Sequence, residues 1–147
     1  MNGWRAAGGA GGANGPMPER ELLFDSTALV DLYRGQAAMQ PYLDALIAGD
    51  LAGYVSAVSE AELWRGLHTD EVSRHEALLS LVTSLPLGSA AARQAGAWMQ
   101  RYEARGLGWM DALIVATARQ ANLAVLTRDM RLVRCLAGEA DFQAYAH

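Results

Sequence analysis

The feature that most constrains the fold is the stretch from residue 108 to residue 129, which reads as a helix, a short turn and a buried strand. Apolar or small side chains recur in its first part at the spacing of one helical face, at Leu113, Ile114, Thr117 and Ala118. Residues 123–126 (Leu-Ala-Val-Leu) then form an unbroken apolar run, typical of a strand that is covered on both faces in a parallel sheet. This stretch therefore predicts an α/β fold built on parallel strands.

Two acidic residues flank this unit. Asp111 falls in the first turn of the predicted helix, and Asp129 follows the predicted strand after Thr127 and Arg128. Ligands of open parallel sheets gather outside the carboxyl ends of the strands. Asp129 is therefore placed where a functional site is expected.

The remaining chain alternates predicted strands with predicted helices. Further strands are predicted at residues 21–25 and 51–58, with an edge strand at 141–145. Helices are predicted from Ser26 up to Gly35 and then over 39–48, 60–66 (capped by Ser59), 69–84, 89–105 and 130–136. This alternation predicts a parallel sheet of four or five strands flanked by helices.

Composition indicates one soluble domain in a reducing, cytoplasmic setting. The chain is 52% hydrophobic, and no apolar run reaches the ~18 residues that a membrane helix needs. Residues 1–18 are rich in glycine and alanine and are expected to form a flexible leader, which leaves 19–147 for the folded domain. Cys135 is the only cysteine, so an intrachain disulfide is excluded, and no secretory signal is visible.

The basic residues narrow the function further. All twelve are arginines, so the Walker phosphate loop and Schiff-base chemistry are excluded for want of a lysine. A phosphoacceptor receiver domain also gathers acids at strand ends, but it typically needs a lysine opposite them. The net charge of −4 argues against non-specific attraction to nucleic acid and leaves a local basic patch open.

Four acids fall at comparable places in the predicted fold: Asp25 ends the first strand, Glu62 lies early in the helix after the second, and Asp111 and Asp129 flank the third. Mg²⁺ and Mn²⁺ bind oxygen ligands and keep several waters, so a few carboxylates from separate segments suffice. Clustered carboxylates repel one another unless a cation neutralises them. Taken singly, each acid has an equally good interpretation as a helix first-turn charge or a turn residue.

Four segments together resemble the motifs of PIN-domain nucleases, in particular the VapC-type toxins. Residues 22–35 (Leu-Leu-Phe-Asp-Ser-Thr-Ala-Leu-Val-Asp-Leu-Tyr-Arg-Gly) resemble the opening of that family, and residues 58–66 resemble its second motif, which selects Glu62 over Glu60. Residues 111–118 and 126–129 (Leu-Thr-Arg-Asp) resemble the third and fourth motifs. The resemblance covers about residues 20–136. It departs from the common pattern at Thr27, where Asn or Ser is more usual, and at Asp129, where many members have Asn.

The resemblance implies a three-layer PIN-like fold and an Mg²⁺- or Mn²⁺-dependent endoribonuclease, the toxin of a toxin–antitoxin pair. It also implies a homodimer that binds a VapB-type antitoxin, whose tail would fill a groove near the acids. Under this hypothesis Asp25, Glu62 and Asp111 hold the metal, Asp129 joins directly or through water, and activated water hydrolyses an RNA phosphodiester. A catalytically silent PIN-like module that only binds RNA or protein stays open as the alternative.

Other polar residues are assigned around this site. Thr27 or Thr127 is expected to orient an acid or the phosphate. Arg128 and Arg131, with Arg134, form either a stripe that grips RNA phosphates or a solvated helix face.

Asp31 lies six residues after Asp25 and is interpreted as mostly structural, because on a helix it need not face the same way. His68, His75 and His147 lack metal-ligand spacing and are expected at the surface.

Overall fold

Five strands and seven α-helices alternate along residues 20–146, the part of the chain that this computed structural model describes. The strands are β1 (Arg20–Phe24), β2 (Leu51–Ser56), β3 (Val82–Leu85), β4 (Ala124–Thr127) and β5 (Phe142–Ala144). The helices are α1 (Ser26–Tyr33), α2 (Gln40–Ala48), α3 (Ala57–Arg65), α4 (Val72–Leu79), α5 (Ser89–Tyr102), α6 (Trp109–Gln120) and α7 (Met130–Leu136). The predicted leader at 1–18 and His147 lie outside the described residues.

All five strands are parallel and stand in the order β3-β2-β1-β4-β5. The chain builds outwards from β1 to β3 on one side and then returns to place β4 and β5 on the other side of β1. The order therefore reverses between β1 and β4, where Phe24 pairs with Leu126. Such a switch point opens a crevice at the carboxyl ends of the two strands, which is where ligands bind in open α/β sheets.

Alternate residues of the central strands enter two separate cores, one on each face of the sheet. Leu22 and Phe24 pack with helices α1 and α2, whereas Leu23 and Val125 pack with helices α5, α6 and α7. Because successive side chains of a strand point to opposite faces, this pattern gives three layers: helices, sheet, helices. The predicted three-layer α/β fold with a parallel sheet is confirmed, with five strands.

The prediction of one helix over 69–84 is wrong. Helix α4 ends at Leu79, and Val82–Leu85 forms β3, which pairs with β2 at the edge of the sheet. The strand is short and only partly buried, so it lacks the apolar run that marks β4. Nothing in its pattern separates it from the helical sequence before it, and the pairing with β2 decides its conformation.

The second strand is also shorter than predicted. Ser56 ends β2, and its Oγ accepts a hydrogen bond from the Val58 backbone N–H at 3.1 Å, so α3 begins at Ala57. Ser59, the predicted cap, instead lies in the first turn with its side chain fully buried. A serine one turn earlier thus supplies the cap.

Glycines follow two of the helices, the first of them as predicted. Gly35 follows α1 and Gly49 follows α2, with φ angles of 69° and 82° that a side chain would disfavour. The edge strand predicted at 141–145 is present as β5, parallel to β4. Among residues 20–146, no helix is long and apolar enough to cross a membrane.

Candidate functional site

Asp25 stands at the point where β1 passes into α1. It caps the helix, because its Oδ1 accepts hydrogen bonds from the Ala28 N–H at 2.8 Å and the Thr27 hydroxyl at 2.7 Å. The side chain is 5% exposed. Burial raises the pKa of Asp25 above its usual value, and the negative charge of Asp129 raises it further. Hydrogen bonds, of which the one with Thr127 has the largest effect, partly oppose this rise in pKa.

Asp129 occupies the equivalent place after β4, beside β1 in the sheet. It caps α7, accepting through Oδ1 from the Arg131 N–H at 3.1 Å and the Leu132 N–H at 3.2 Å. Thr127 joins the two acids, because its hydroxyl accepts from the Asp129 N–H at 3.0 Å and hydrogen-bonds to Asp25. The hydroxyls of Thr27 and Thr127 both contact Asp25, and their supporting role stays a prediction.

Glu62 projects from the second turn of α3 and is exposed. Its Oε1 accepts a hydrogen bond from the Ser26 hydroxyl at 2.7 Å, and Ser26 Oγ also lies 3.1 Å from the buried Ser59 Oγ. Sequence reasoning did not single out Ser26 for this site. The one signal for it is its place directly after Asp25, since the first residue of α1 shares the switch-point crevice.

Asp111 lies in the first turn of α6, as predicted. Its pKa is raised from 3.8 to about 6, first by burial and then by the negative charges of Asp129, Asp25 and Glu62, while Arg131 lowers it. All three other predicted acids therefore act on the Asp111 carboxylate. The four segments deliver their carboxylates to one region at the carboxyl ends of β1, β2 and β4.

The donor set of this region fits a hard divalent cation. Asp111 and the three carboxylates that raise its pKa are stabilised by a positive ion that neutralises their charge. Oxygen ligands suit Mg²⁺ and Mn²⁺, which keep part of their water shell. Among residues 20–146, no three side chains of the His, Cys, Asp or Glu type are already arranged as a complete metal site. A cation would therefore have to draw the acids together or bind through water.

The two predicted RNA-contacting arginines differ in their surroundings. Arg128 donates from Nε to Asp31 Oδ2 at 2.6 Å, which ties its guanidinium to α1. Arg131 is exposed and lines a small cleft together with Asp111 and Asp129. Arg131 is thus the better placed of the two to meet a phosphate beside the acids.

The histidine prediction is wrong for one residue. His68 is exposed, but His75 is 3% exposed and packs between the rings of Tyr33 and Trp64, at 6.2 and 5.8 Å between ring centroids. The sequence around His75 is polar, and burial arises because α4 lies across α1 and α3. His75 also lines a groove of about 230 Å³ that runs along these helices to Glu62.

This geometry can be compared with known proteins. The family model of the PIN domain matches residues 22–135, which include all four acids. The chain belongs to the PIN-domain family. The predicted resemblance is confirmed.

Relatives of this PIN domain include Ribonuclease VapC10 of Mycobacterium tuberculosis. The identity is 37% over 109 residues, which cover 72% of this chain and 80% of that protein. Solved structures that share the fold include the following two. VapBC2 from Rickettsia felis, bound to a DNA fragment from its promoter, matches with a TM-score of 0.73 at 19% identity over 86% of this chain and 99% of that one. A toxin–antitoxin complex from Klebsiella pneumoniae matches with a TM-score of 0.66 at 25% identity over 84% and 96%.

Proposed function

We propose that this PIN domain is a metal-dependent endoribonuclease that acts in the cytoplasm as the toxin of a toxin–antitoxin pair. The observation that carries the proposal is the convergence of Asp25, Glu62 and Asp129 on Asp111, whose pKa they help to raise to about 6. A relative named as a ribonuclease, 37% identical, supports RNA as the substrate.

In the proposed mechanism Asp25, Glu62, Asp111 and Asp129 hold Mg²⁺ or Mn²⁺. When bound, the ion would supply Lewis-acid activation of water and neutralise charge at the phosphodiester. Asp25 is held in place by Thr27, Thr127 and the first turn of α1, and Glu62 is oriented by Ser26. Arg131, at the wall of the cleft beside Asp111, is in a position to bind the substrate phosphate.

The groove along α1, α3 and α4 is our proposed antitoxin site. It is lined by Val30, Tyr33, Leu63, Leu67 and His75, and it reaches Glu62. An amphipathic segment with apolar anchors suits such a groove. The toxin–antitoxin complex from Klebsiella pneumoniae, which is 25% identical and shares this fold, supports such a partner. We also propose a homodimer, since Trp109, Met110 and Met130 are about half exposed at the starts of α6 and α7.

The test is cleavage of total cellular RNA by the purified, antitoxin-free protein with Mn²⁺, Mg²⁺ or EDTA. Discrete fragments that require metal and disappear in Asp111→Asn are expected. Asp50→Asn is the matched control, because Asp50 is an exposed aspartate before β2, at the opposite end of the sheet. Intact RNA under every condition, from a folded sample, would instead favour the silent binding module.

A further inference from the structure

We propose that Asp31 is a positioning residue, which acts through Arg128 and Tyr145 to hold the segment that carries Asp129 beside Asp25. The inference builds on the proposed metal site and assigns it a residue outside the four acids. Asp31 belongs to α1, the helix that Asp25 caps, whereas Arg128 follows β4 and Tyr145 follows β5, the two strands on the other side of β1 from β2.

The contacts of Asp31 are short and buried. Its side chain is 1% exposed, and Oδ2 accepts from Arg128 Nε and from the Tyr145 hydroxyl, both at 2.6 Å. Charge-assisted hydrogen bonds of this kind are among the stronger ones in proteins. One carboxylate oxygen of α1 thereby contacts two residues that lie 97 and 114 positions further along the chain.

Both partners of Asp31 act on the same short segment. Arg128 lies between Thr127, which hydrogen-bonds to Asp25, and Asp129, which is a proposed metal ligand. Tyr145 reaches the same place through its backbone, because its N–H donates to the Thr127 carbonyl at 3.1 Å. Residues 127–129 are therefore held against α1 by two contacts, one through the Arg128 guanidinium and one through Tyr145, which follows β5.

This arrangement serves the site as well as the fold. The Asp25 and Asp129 carboxylates must keep a fixed separation to share a cation, and they belong to different elements. Asp31 connects those two elements through side chains that lie beside the acids without being ligands. Partners that orient metal ligands are known to matter roughly 10–100-fold for metal affinity or activity.

The experiment compares Mn²⁺ affinity, measured by electron paramagnetic resonance titration of free Mn²⁺, with RNA cleavage kinetics for the parent and Asp31→Asn. We expect Mn²⁺ binding to weaken roughly 10–100-fold. We also expect kcat to fall and the KM for RNA to stay near the parent value. Tyr145→Phe removes only the hydroxyl that donates to Asp31. It is expected to lower Mn²⁺ affinity and kcat in the same way, but by less than Asp31→Asn does. If Asp31→Asn fails to fold, Tyr145→Phe and Arg128→Gln decide the question.

Glu139→Gln is the matched control. Glu139 is a similar anchor remote from the acids, since it accepts from the Tyr102 hydroxyl at 2.6 Å and from Arg101 at 3.2 Å. Its loss is expected to lower stability while leaving Mn²⁺ affinity and kcat unchanged. If Glu139→Gln and Asp31→Asn weaken Mn²⁺ binding equally, Asp31 contributes to stability only and does not position the site.

Two further results would overturn the inference. The first is that the folded Asp31→Asn and Tyr145→Phe variants bind Mn²⁺ as tightly as the parent protein does. The other is an Arg128→Gln variant in which only KM changes, because Arg128 would then contact RNA. A parent protein that binds Mn²⁺ but cuts no RNA would refute the proposed function alone, and Mn²⁺ affinity would still decide the role of Asp31. A parent that binds no Mn²⁺ refutes both.

Discussion

At neutral pH Asp111 is ionised although it is partly buried beside three other negative charges. Its pKa in the folded protein is about 6, against an ordinary value of 3.8. Above pH 6 the Asp111 carboxylate is charged in both the folded and the unfolded chain. The folded state is then destabilised by the burial of this charge and by its repulsion from the neighbouring acids. As pH falls through 6 towards 4, the folded state takes up the proton first, so the destabilisation is relieved.

Asp111→Asn is therefore expected to stabilise the metal-free protein near pH 7.5. The gain is expected to be well below the about 3 kcal/mol of the full pKa shift, because solvent screens the charge of this half-buried group. The gain is expected to shrink near pH 5, where Asp111 is largely protonated. Thermal unfolding of the two proteins in EDTA at both pH values checks this. An equal gain at the two pH values would show that burial and neighbouring charges do not act on Asp111 as described.

Ser26 offers a second test at this scale. Ser26→Ala removes the hydroxyl that donates to Glu62 Oε1 and leaves this exposed carboxylate without that restraint. We expect kcat/KM for RNA to fall about tenfold, in keeping with hydrogen bonds to charged groups, with little loss of stability. Ser80→Ala is a suitable control, since its hydroxyl makes an exposed bond to the Ala77 carbonyl after α4. Unchanged cleavage in Ser26→Ala would mean that Glu62 needs no such restraint.

The positions of Asp25, Asp111 and Asp129 could be predicted from the sequence because each follows a local rule: a strand end or a helix first turn. Glu62, in the second turn of α3, was selected over Glu60 by the family resemblance. Ser26 and the buried pair of Asp31 with Arg128 could not be predicted. Their roles depend on which side chains meet across the sheet, and residues 31 and 128 are separated by 97 positions. Side-chain pairing at that distance leaves no trace in periodicity or spacing.

Among the elements, helix α3 connects the fold to the site, because it starts at the end of β2 and carries Glu62. Its first turn depends on Ser56, whose fully buried Oγ accepts from the Val58 N–H. The sequence has serines at both 56 and 59, and the sequence pattern alone does not distinguish which of the two caps the helix. The distinction matters because it sets which residues of α3 face the crevice.

Ser56→Ala is expected to lower the free energy of unfolding by about 1 kcal/mol through loss of the helix cap. Because Glu62 lies on the same helix, cleavage is expected to weaken as well. Urea unfolding followed by circular dichroism measures the first effect. Ser73→Ala, at an exposed place in α4, is the comparison. A loss no larger than in Ser73→Ala would argue against Ser56 as the cap.

Strands β1 and β4 were predictable because residues 22–24 and 124–126 are unbroken apolar runs that are covered on both faces of the sheet. Strand β3 was not, since it is an edge strand of four residues that continues a helical sequence. Its conformation is decided by pairing with β2, from Gly53 opposite Val82 to Ser56 opposite Leu85. Short edge strands are generally decided by such tertiary contacts.

At the scale of the whole molecule, repulsion among the four acids lowers the stability of the folded protein, and a bound cation is expected to relieve it. A ligand that binds only the folded state stabilises it, by about 2.7 kcal/mol at a hundred times its dissociation constant. For a domain of this size, Mn²⁺ at that excess is expected to raise Tm by roughly 10 °C.

Differential scanning fluorimetry with Mn²⁺ and then EDTA measures this shift. Asp111→Asn is expected to lose most of it, and Asp50→Asn to keep it. No shift in the parent at millimolar Mn²⁺ would contradict a cation site among the four acids.

Two of the acids, Asp25 and Asp129, also cap helices, and this double duty has a consequence for how the protein can change. Asparagine caps a helix about as well as aspartate. A single base change in the codon of either residue thus removes a negative charge and spares the helix. Under the proposed function, Asp25→Asn would therefore give a folded, RNA-binding descendant without nuclease activity in one mutation, and antitoxin-free cells that survive the toxin are where such descendants should first be found.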